Sequence, residues 1–468
     1  MSRQSTFTMP CPRLASSALA LGLLAGCSTY EAKELNPATT QTQLESRTLA
    51  DAGLTRTLTS HGAPVDGEWD LARFTLAAFY FSPELDVARA QLAELEAGVT
   101  TAAARPNPTL NFTPGYNPSA TGGVTPWILG YALDLPLELA GQRFYRTAEA
   151  QHQAEAARLT VAGTAWSVRH TVRRALLELH AATAAAALWR EQTPLLEQAA
   201  HLVDAQVKAG EASPLEAAQT SVALYRAELA ARESARTVHE ARSRLAEAIG
   251  VSAAALANVN PSFRSLNDAT AIDAPEARRW AAQNRADLLS ALAAYAASQS
   301  ALQTEIARQY PDLSFGPGYQ LDQGEGKWAL SLGVTLPLFH RNQGPIALAQ
   351  ARRETAAAKF IALQNHVLAE IDRTVADVTS ARASLVTVEK IRHGLDRQTT
   401  TAKARLAAGE ISRLDLARAQ LDRVDTARAE LEARGRVEQA LAALEDAVQR
   451  PLAWPDSAWR APRRSTAN

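Results

Sequence analysis

Asn107–Tyr116 reads NPTLNFTPGY, and Tyr310–Tyr319 reads YPDLSFGPGY. Pro, Leu, Phe, Pro, Gly and Tyr hold the same places in both, 203 residues apart. A phrase that returns so far along a chain marks a duplicated unit. In the first copy Leu110, Phe112, Pro114 and Tyr116 alternate with Thr109, Asn111, Thr113 and Gly115. In the second, Leu313, Phe315, Pro317 and Tyr319 alternate with Asp312, Ser314, Gly316 and Gly318. An apolar period of two is the signature of a strand with one face unlike the other.

Each phrase is followed by a turn-rich loop and a second alternating run. After NPSATGGVTP (Asn117–Pro126), residues Leu129, Tyr131, Leu133, Leu135 and Leu137 share a face opposite Gly130, Ala132, Asp134 and Pro136. After QLDQGEG (Gln320–Gly326), Trp328, Leu330, Leu332, Val334, Leu336 and Leu338 share a face opposite Lys327, Ala329, Ser331, Gly333, Thr335 and Pro337. The expectation is two β-hairpins, at about 108–137 and 311–338, with four strands per chain.

Helical sequence surrounds each hairpin. Leu71–Ala104 has helical composition, with Pro83 suited to a helix start and Pro106 and Pro108 closing it. Gln142–Val207 and Gln343–Leu406 would each reach about 100 Å as one helix at 1.5 Å per residue. In the second, Val367, Ile371, Val375, Val378, Leu385 and Val388 form a coiled-coil-like seam. Pro194 and Gly394 are potential kink points. Both helices end in related turns, VKAGEASPLE (Val207–Glu216) and LAAGEISRLD (Leu406–Asp415). Gly210 and Gly409 suit a left-handed C-terminal residue, and Ser213 and Ser412 suit the N-cap of a return helix. The unit is therefore helix, hairpin, very long helix, sharp turn, return helix. The first copy is expected over 68–260 and the second over 261–450, with a tail at 451–468.

The start of the chain is not fold. Arg3 and Arg13 precede a short apolar run, Leu14–Ala25, which ends in Leu24-Ala25-Gly26-Cys27. This resembles a bacterial lipobox, which implies a signal peptide over 1–26, cleavage before Cys27 and acylation of its thiol. Ser28, rather than Asp, resembles the sorting pattern for the outer membrane. The other cysteine, Cys11, lies in the segment removed, so the mature chain has no possible internal disulfide. A polar tail follows to Gly67, expected to lie along the surface of the body.

Composition narrows the function. The net charge is −1, which gives no basic field for nucleic acid. No run of 18 apolar residues follows Cys27, so no transmembrane helix is expected. The sequence has no Walker loop, no Gly-x-Ser-x-Gly elbow and no zinc motif, which argues against an enzyme. The nine histidines are scattered, and no Met follows Met9, so no metal site or cofactor is expected beyond the lipid on Cys27.

Strands of about ten residues with one apolar and one small or polar face match membrane-crossing β-strands. Lipid demands a closed barrel, because open edges leave backbone groups unpaired. Eight strands enclose a lumen that side chains fill. Twelve, from three chains, leave an open pore, which favours a homotrimer.

The duplicated plan, the lipobox and the paired Ala-Gly-Glu turns resemble the TolC-like outer-membrane factors over essentially the whole mature chain. RPNPTLNF (Arg105–Phe112) followed by LDLPLELAGQRFYR (Leu133–Arg146) looks like the branch of cobalt–zinc–cadmium efflux proteins. The resemblance implies a mainly α protein with a small β-barrel contribution: a trimeric 12-stranded barrel on a long periplasmic α-helical barrel. It implies the exit duct of a tripartite system, with a periplasmic adaptor and an inner-membrane transporter of the resistance-nodulation-division type as partners. Heavy-metal cations, organic compounds and secreted polypeptides all remain open as cargo. A structural coiled-coil lipoprotein is the rival from another class. By the same resemblance, Ala209, Gly210, Glu211, Ser213 and Leu215, with Ala408, Gly409, Glu410, Ser412 and Leu414, form the adaptor-docking tips. Glu216 and Asp415 take matching places just past the turns. Under three-fold symmetry each would form a carboxylate ring at a gate; alternatively each is a helix-start acid that stabilises the macrodipole.

Overall fold

The computed structural model describes residues 30–62, 67–266 and 272–452. Cys27, the expected signal peptide before it and the C-terminal tail beyond Leu452 lie outside the described residues. The chain divides into two units, Met1–Arg47 and Thr48–Asn468. In the first, α1 (Pro37–Glu45) starts from Asn36, whose side chain accepts hydrogen bonds from the N–H groups of Ala38 and Thr39.

The second unit holds both repeats. After α2 (Ala52–Ser60), the first copy runs α3 (Leu71–Phe81), α4 (Pro83–Ala103), β1 (Thr109–Tyr116), β2 (Trp127–Leu137), α5 (Gln142–Lys208) and α6 (Pro214–Ile249). The second runs α7 (Ala274–Asn284), α8 (Ala286–Ala307), β3 (Leu313–Asp322), β4 (Glu325–Val334), α9 (Gln343–Ala407) and α10 (Arg413–Val448). The helices of 11, 21, 67 and 36 residues in one copy answer helices of 11, 22, 65 and 36 in the other. Neither Pro194 nor Gly394 ends its helix.

Two expectations need correction. The polar tail is not only a surface segment: Leu54 and Leu58 of α2 are fully buried beside Phe74, Leu176 and Leu179. Nine residues were too few for a visible helical period, yet Asp51 caps the helix through the N–H groups of Gly53 and Leu54. The second hairpin loop is also shorter than Gln320–Gly326. Gln323 and Gly324 both have positive φ, 54° and 97°, the geometry of a tight type I′ turn. Pairing therefore continues through Gln320–Lys327 and Asp322–Glu325. At the other end β4 stops at Val334, short of Leu338.

Each repeat has its own core at mid-height. The first gathers α2, α3, α5 and α6 around Phe74, Leu176 and Leu245. The second packs Val367, Ile371 and Val378 of the predicted seam against Leu444 and Val448 of α10. Buried charge joins the two. Glu445 of α10 pairs with Arg173 and, at 2.5 Å, with Arg169, both on α5. The Trp166 indole donates to Asp446 at 2.8 Å. Arg285, before α8, donates to the Ala447 carbonyl at 2.8 Å and pairs with Asp287 and Glu370, each at 2.7 Å. Removing one member would strand the others in an apolar setting.

Candidate functional site

The four strands form one antiparallel sheet in the order β1-β2-β3-β4, so the two hairpins pair through β2 and β3. Among the described residues both outer strands, β1 and β4, have one edge unpaired. The register keeps the two faces distinct. Phe112 pairs with Tyr131, Tyr131 with Tyr319, and Tyr319 with Trp328, so one aromatic row crosses all four strands. Ring centroids lie 5.0 Å apart for Phe112–Tyr131 and 4.9 Å for Tyr319–Trp328. Tyr116 and Trp127 add an edge-on pair at 5.1 Å.

This bulky face is open. Trp328 is 82% exposed, and Leu110, Leu330 and Leu332 are each exposed by about two thirds, at 70%, 69% and 67%. Side chains of this size left unburied need an apolar surrounding. From the first to the last of its eleven residues β2 makes ten rises of about 3.4 Å, which at a barrel tilt near 40° climb about 26 Å, the height of the apolar band of an outer-membrane barrel. A further exposed set, Phe144, Tyr310 and Phe339, follows or precedes the strands in sequence at the helix-proximal end. Two aromatic levels bounding an apolar band are the expected anchors at membrane interfaces. Among the described residues, no helix is long and apolar enough to cross a membrane.

The opposite face is built from small residues. A Cβ at Gly316 would come within 2.3 Å of the Ser331 hydroxyl, and one at Gly333 within 2.4 Å of the Ser314 hydroxyl. Glycine there lets neighbouring strands' side chains lie flat over the backbone. Charge on this face is confined to the ends: Asp134 and Asp312 at one, and Asp322, Glu325 and Lys327 at the other. Lys327 Nζ lies 2.6 Å from Asp322 and 3.9 Å from Glu325.

Arg146 joins sheet to helices, a role that sequence reasoning missed. Its guanidinium donates to the carbonyls of Ala102 and Ala104 at 2.8 and 3.1 Å, and to Glu138 at 2.6 Å. It thus clamps the end of α4, the residue after β2 and the first turn of α5. Close by, a groove of about 810 Å³ is walled by α4, α5, α8 and α9. Burial there pushes the Glu149 carboxyl above its ordinary value, Arg308 pulling it back.

At the far ends of α5 and α9 the predicted tips form matching turns. Gly210 and Gly409 both have φ of +77°. The N–H of Glu211 donates to the Gln206 carbonyl and that of Gly210 to Val207, at 2.8 and 3.0 Å. Glu410 and Gly409 repeat this with Arg405 and Leu406, at 2.9 and 3.0 Å. Both are complete Schellman motifs. Ser213 then caps α6 through the Glu216 N–H, and Ser412 caps α10 through the Asp415 N–H.

The structure brings the tips side by side. Leu414 is buried against Ala199, Val203 and Ala417, whereas its counterpart Leu215 is 68% exposed. Arg418 of α10 reaches Glu216 of α6 at 3.0 Å. Asp415 folds back on Ser412, accepting from its N–H at 3.0 Å and its hydroxyl at 2.7 Å. The Ser412 hydroxyl and N–H hold the Asp415 carboxyl below its ordinary value, with smaller help from Arg418 and Arg405. Glu410 pairs with Arg405 at 3.1 Å. Ala209, Gly210, Glu211, Ser213, Ala408, Gly409, Glu410 and Ser412 are all exposed. Among the described residues, no group of three or more His, Cys, Asp or Glu side chains is placed to hold a metal ion.

Known proteins share this plan. A family model described as outer membrane efflux protein matches residues 80–251 and 278–448, one stretch in each repeat. The cobalt-zinc-cadmium resistance protein CzcC of Cupriavidus metallidurans is 25% identical over 339 residues, 71% of this chain and 78% of that one. A membrane protein from Pseudomonas aeruginosa superposes with a TM-score of 0.66 at 20% identity, covering 90% of this chain and 99% of that one. The outer membrane protein VceC of Vibrio cholerae gives a TM-score of 0.66 at 19% identity, covering 82% and 96%. The structural matches establish the fold.

Proposed function

This chain belongs to the outer membrane efflux protein family, the TolC-like outer-membrane factors, and from that premise we propose that it is the passive exit duct of a tripartite pump. The observation that carries the reading is the sheet: four strands, two unlike faces and two unpaired edges, standing on helices about 100 Å long at 1.5 Å per residue. In lipid the edges must close. Three copies supply twelve strands, with bulky faces toward lipid and small faces around water. Two copies would supply eight and a lumen plugged by side chains.

The paired helices of three copies continue the pore as a tube across the periplasm, anchored outside by the barrel and by the lipid on Cys27. The exposed tips dock a periplasmic adaptor, which joins the duct to an inner-membrane transporter of the resistance-nodulation-division type. The gate lies at the same tips, closed by coiled-coil packing and opened when the helices shift. Glu216 and Asp415 act there first as tip stabilisers, since one is held by Arg418 and the other by Ser412. The duct has no reaction to catalyse; selectivity and docking are its chemistry.

Heavy-metal cations are the proposed cargo. The named relative, a cobalt-zinc-cadmium resistance protein, supports that choice over organic compounds or polypeptides. The test is growth and metal content of cells with and without the gene, on zinc, cobalt, cadmium, nickel and copper beside dyes, solvents and antibiotics. Deletion should sensitise to divalent metals selectively and raise their cellular content. Sensitivity to organics alone would move the duct to drug efflux.

A further inference from the structure

We propose that Asp134 sets the ion preference of the duct, as a ring of three carboxylates at the helix-proximal end of the barrel. The proposal rests on the trimeric-duct reading above. Alternation fixes the direction of its side chain: Leu133 and Leu135 belong to the bulky face, so Asp134 belongs to the small one. On one side it pairs with Thr109, the first residue of β1. On the other it lies between the pairs Ala132–Gly318 and Leu135–Phe315. Neither neighbour offers a cation, and its carboxylate has no hydrogen-bond or ion-pair partner among the described residues.

The rest of that face is nearly free of charge. Thr109, Asn111 and Thr113 on β1, Ser314 and Gly318 on β3, and Ser331 on β4 are uncharged and short. At the same end Asp312 accepts from the Leu139 N–H at 3.1 Å and the Gln142 amide at 3.0 Å, and Glu138 pairs with Arg146 at 2.6 Å. The next ionisable groups toward the other end are Asp322, Glu325 and Lys327. Asp322 pairs with Ile128, six residues from Asp134, or about 20 Å along the strand. There Lys327 offsets much of the acid. At the tips the other candidate carboxylates are engaged, Glu216 by Arg418 and Asp415 by Ser412. Asp134 is therefore the carboxylate on the small face of the sheet that has neither a hydrogen-bond nor an ion-pair partner among the described residues.

Twelve strands spaced 4.8 Å apart and tilted near 40° give a barrel radius of about 12 Å. Three carboxylates at that radius act on the axis through about one Debye length at 0.1 M salt. Screened Coulomb attraction then enriches a monovalent cation over an anion by about two- to fourfold, and a divalent cation by more. The ring would favour the passage of metal cations without binding them, as conduction requires.

The test is the reversal potential of the full-length protein in a planar bilayer under a KCl gradient. Wild-type channels should prefer K⁺ over Cl⁻. Asp134→Asn should lower that permeability ratio about two- to fourfold, and Asp134→Lys should carry it toward anions. Asp134→Cys gives a second route within inserted channels: a sulfonate-bearing thiol reagent should restore the preference and an ammonium-bearing one reverse it. Conducting Asp134→Asn channels with the wild-type ratio would overturn the proposal and leave the duct reading standing. No conductance from wild-type protein would instead overturn the duct reading, and the proposal with it.

Discussion

Gly409 and Gly435 make a paired prediction, because the same substitution should act in opposite directions. A Cβ added at either meets nothing within 4 Å, so neither substitution clashes. Gly409 holds φ +77° at the end of α9, whereas Gly435 lies inside α10 in ordinary helical conformation. A Cβ in the left-handed region costs about 1–2 kcal/mol. Removing a glycine from a helix interior returns about 0.5–1 kcal/mol. The reporters are the N–H groups of Gly409 and Glu410, bonded to Leu406 and Arg405 at 3.0 and 2.9 Å. Hydrogen exchange read by mass spectrometry on the intact protein measures their opening. Gly409→Ala should populate the open tip about 5- to 30-fold more, the factor that 1–2 kcal/mol implies. Gly409→Asn should cost less, because asparagine tolerates the left-handed region. Gly435→Ala should slow exchange around it in α10. Unchanged tip exchange in Gly409→Ala, or Asn as damaging as Ala, would refute the assignment of the turn.

Three further outcomes follow from named contacts. Ser412→Ala removes the cap of α10 and should cost about 1 kcal/mol, read as faster exchange at the Asp415 amide. The Asp415 carboxyl lies below its ordinary value of 3.8, so its contribution is complete above that pH and lost as pH falls through the lower folded value. Tip exchange, corrected for intrinsic rate, should therefore rise only in strong acid. Leu330→Arg puts a charge on the bulky face and should cost about 2–4 kcal/mol if that face meets the middle of the bilayer. Ala329→Arg, on the small face, should cost little, and denaturant midpoints of the reconstituted protein compare the two. Glu445→Ala strands Arg169 and Arg173 between α5 and α10 and should cost about 3–5 kcal/mol, seen as a lowered unfolding midpoint.

Local chemistry made the repeated parts legible. Alternation at Leu110, Phe112 and Tyr116 marked a two-faced strand, and Gly210 with Ser213 marked a helix end followed by a helix start. Each signal spans a few residues and depends on backbone preference. The parts that stayed hidden depend on residues far apart in the chain. Arg418 meets Glu216 across 202 residues, and Arg173 meets Glu445 across 272. No local pattern ties a surface-looking arginine to a particular acid so distant. The side-by-side tips and the charged joint between the repeats were illegible for that reason. Arg146 lay in plain view within LELAGQRFYR, but its carbonyl partners on α4 are set by the approach of two helices. Leu54 and Leu58 escaped because two apolar residues in a nine-residue helix make a weak period. The turn at Gln323 escaped because the charged residues beside it, Asp322 and Glu325, look like loop while they pair across the strands.

The central claim is that four strands with two open edges are one third of a closed barrel. Native mass spectrometry of the full-length protein, extracted from outer membranes in mild detergent, tests it most directly. A complex of three copies is expected, giving the twelve strands that leave a water-filled lumen. A stable monomer or a complex of two copies would contradict it, since four strands cannot close in lipid and eight would fill their own interior.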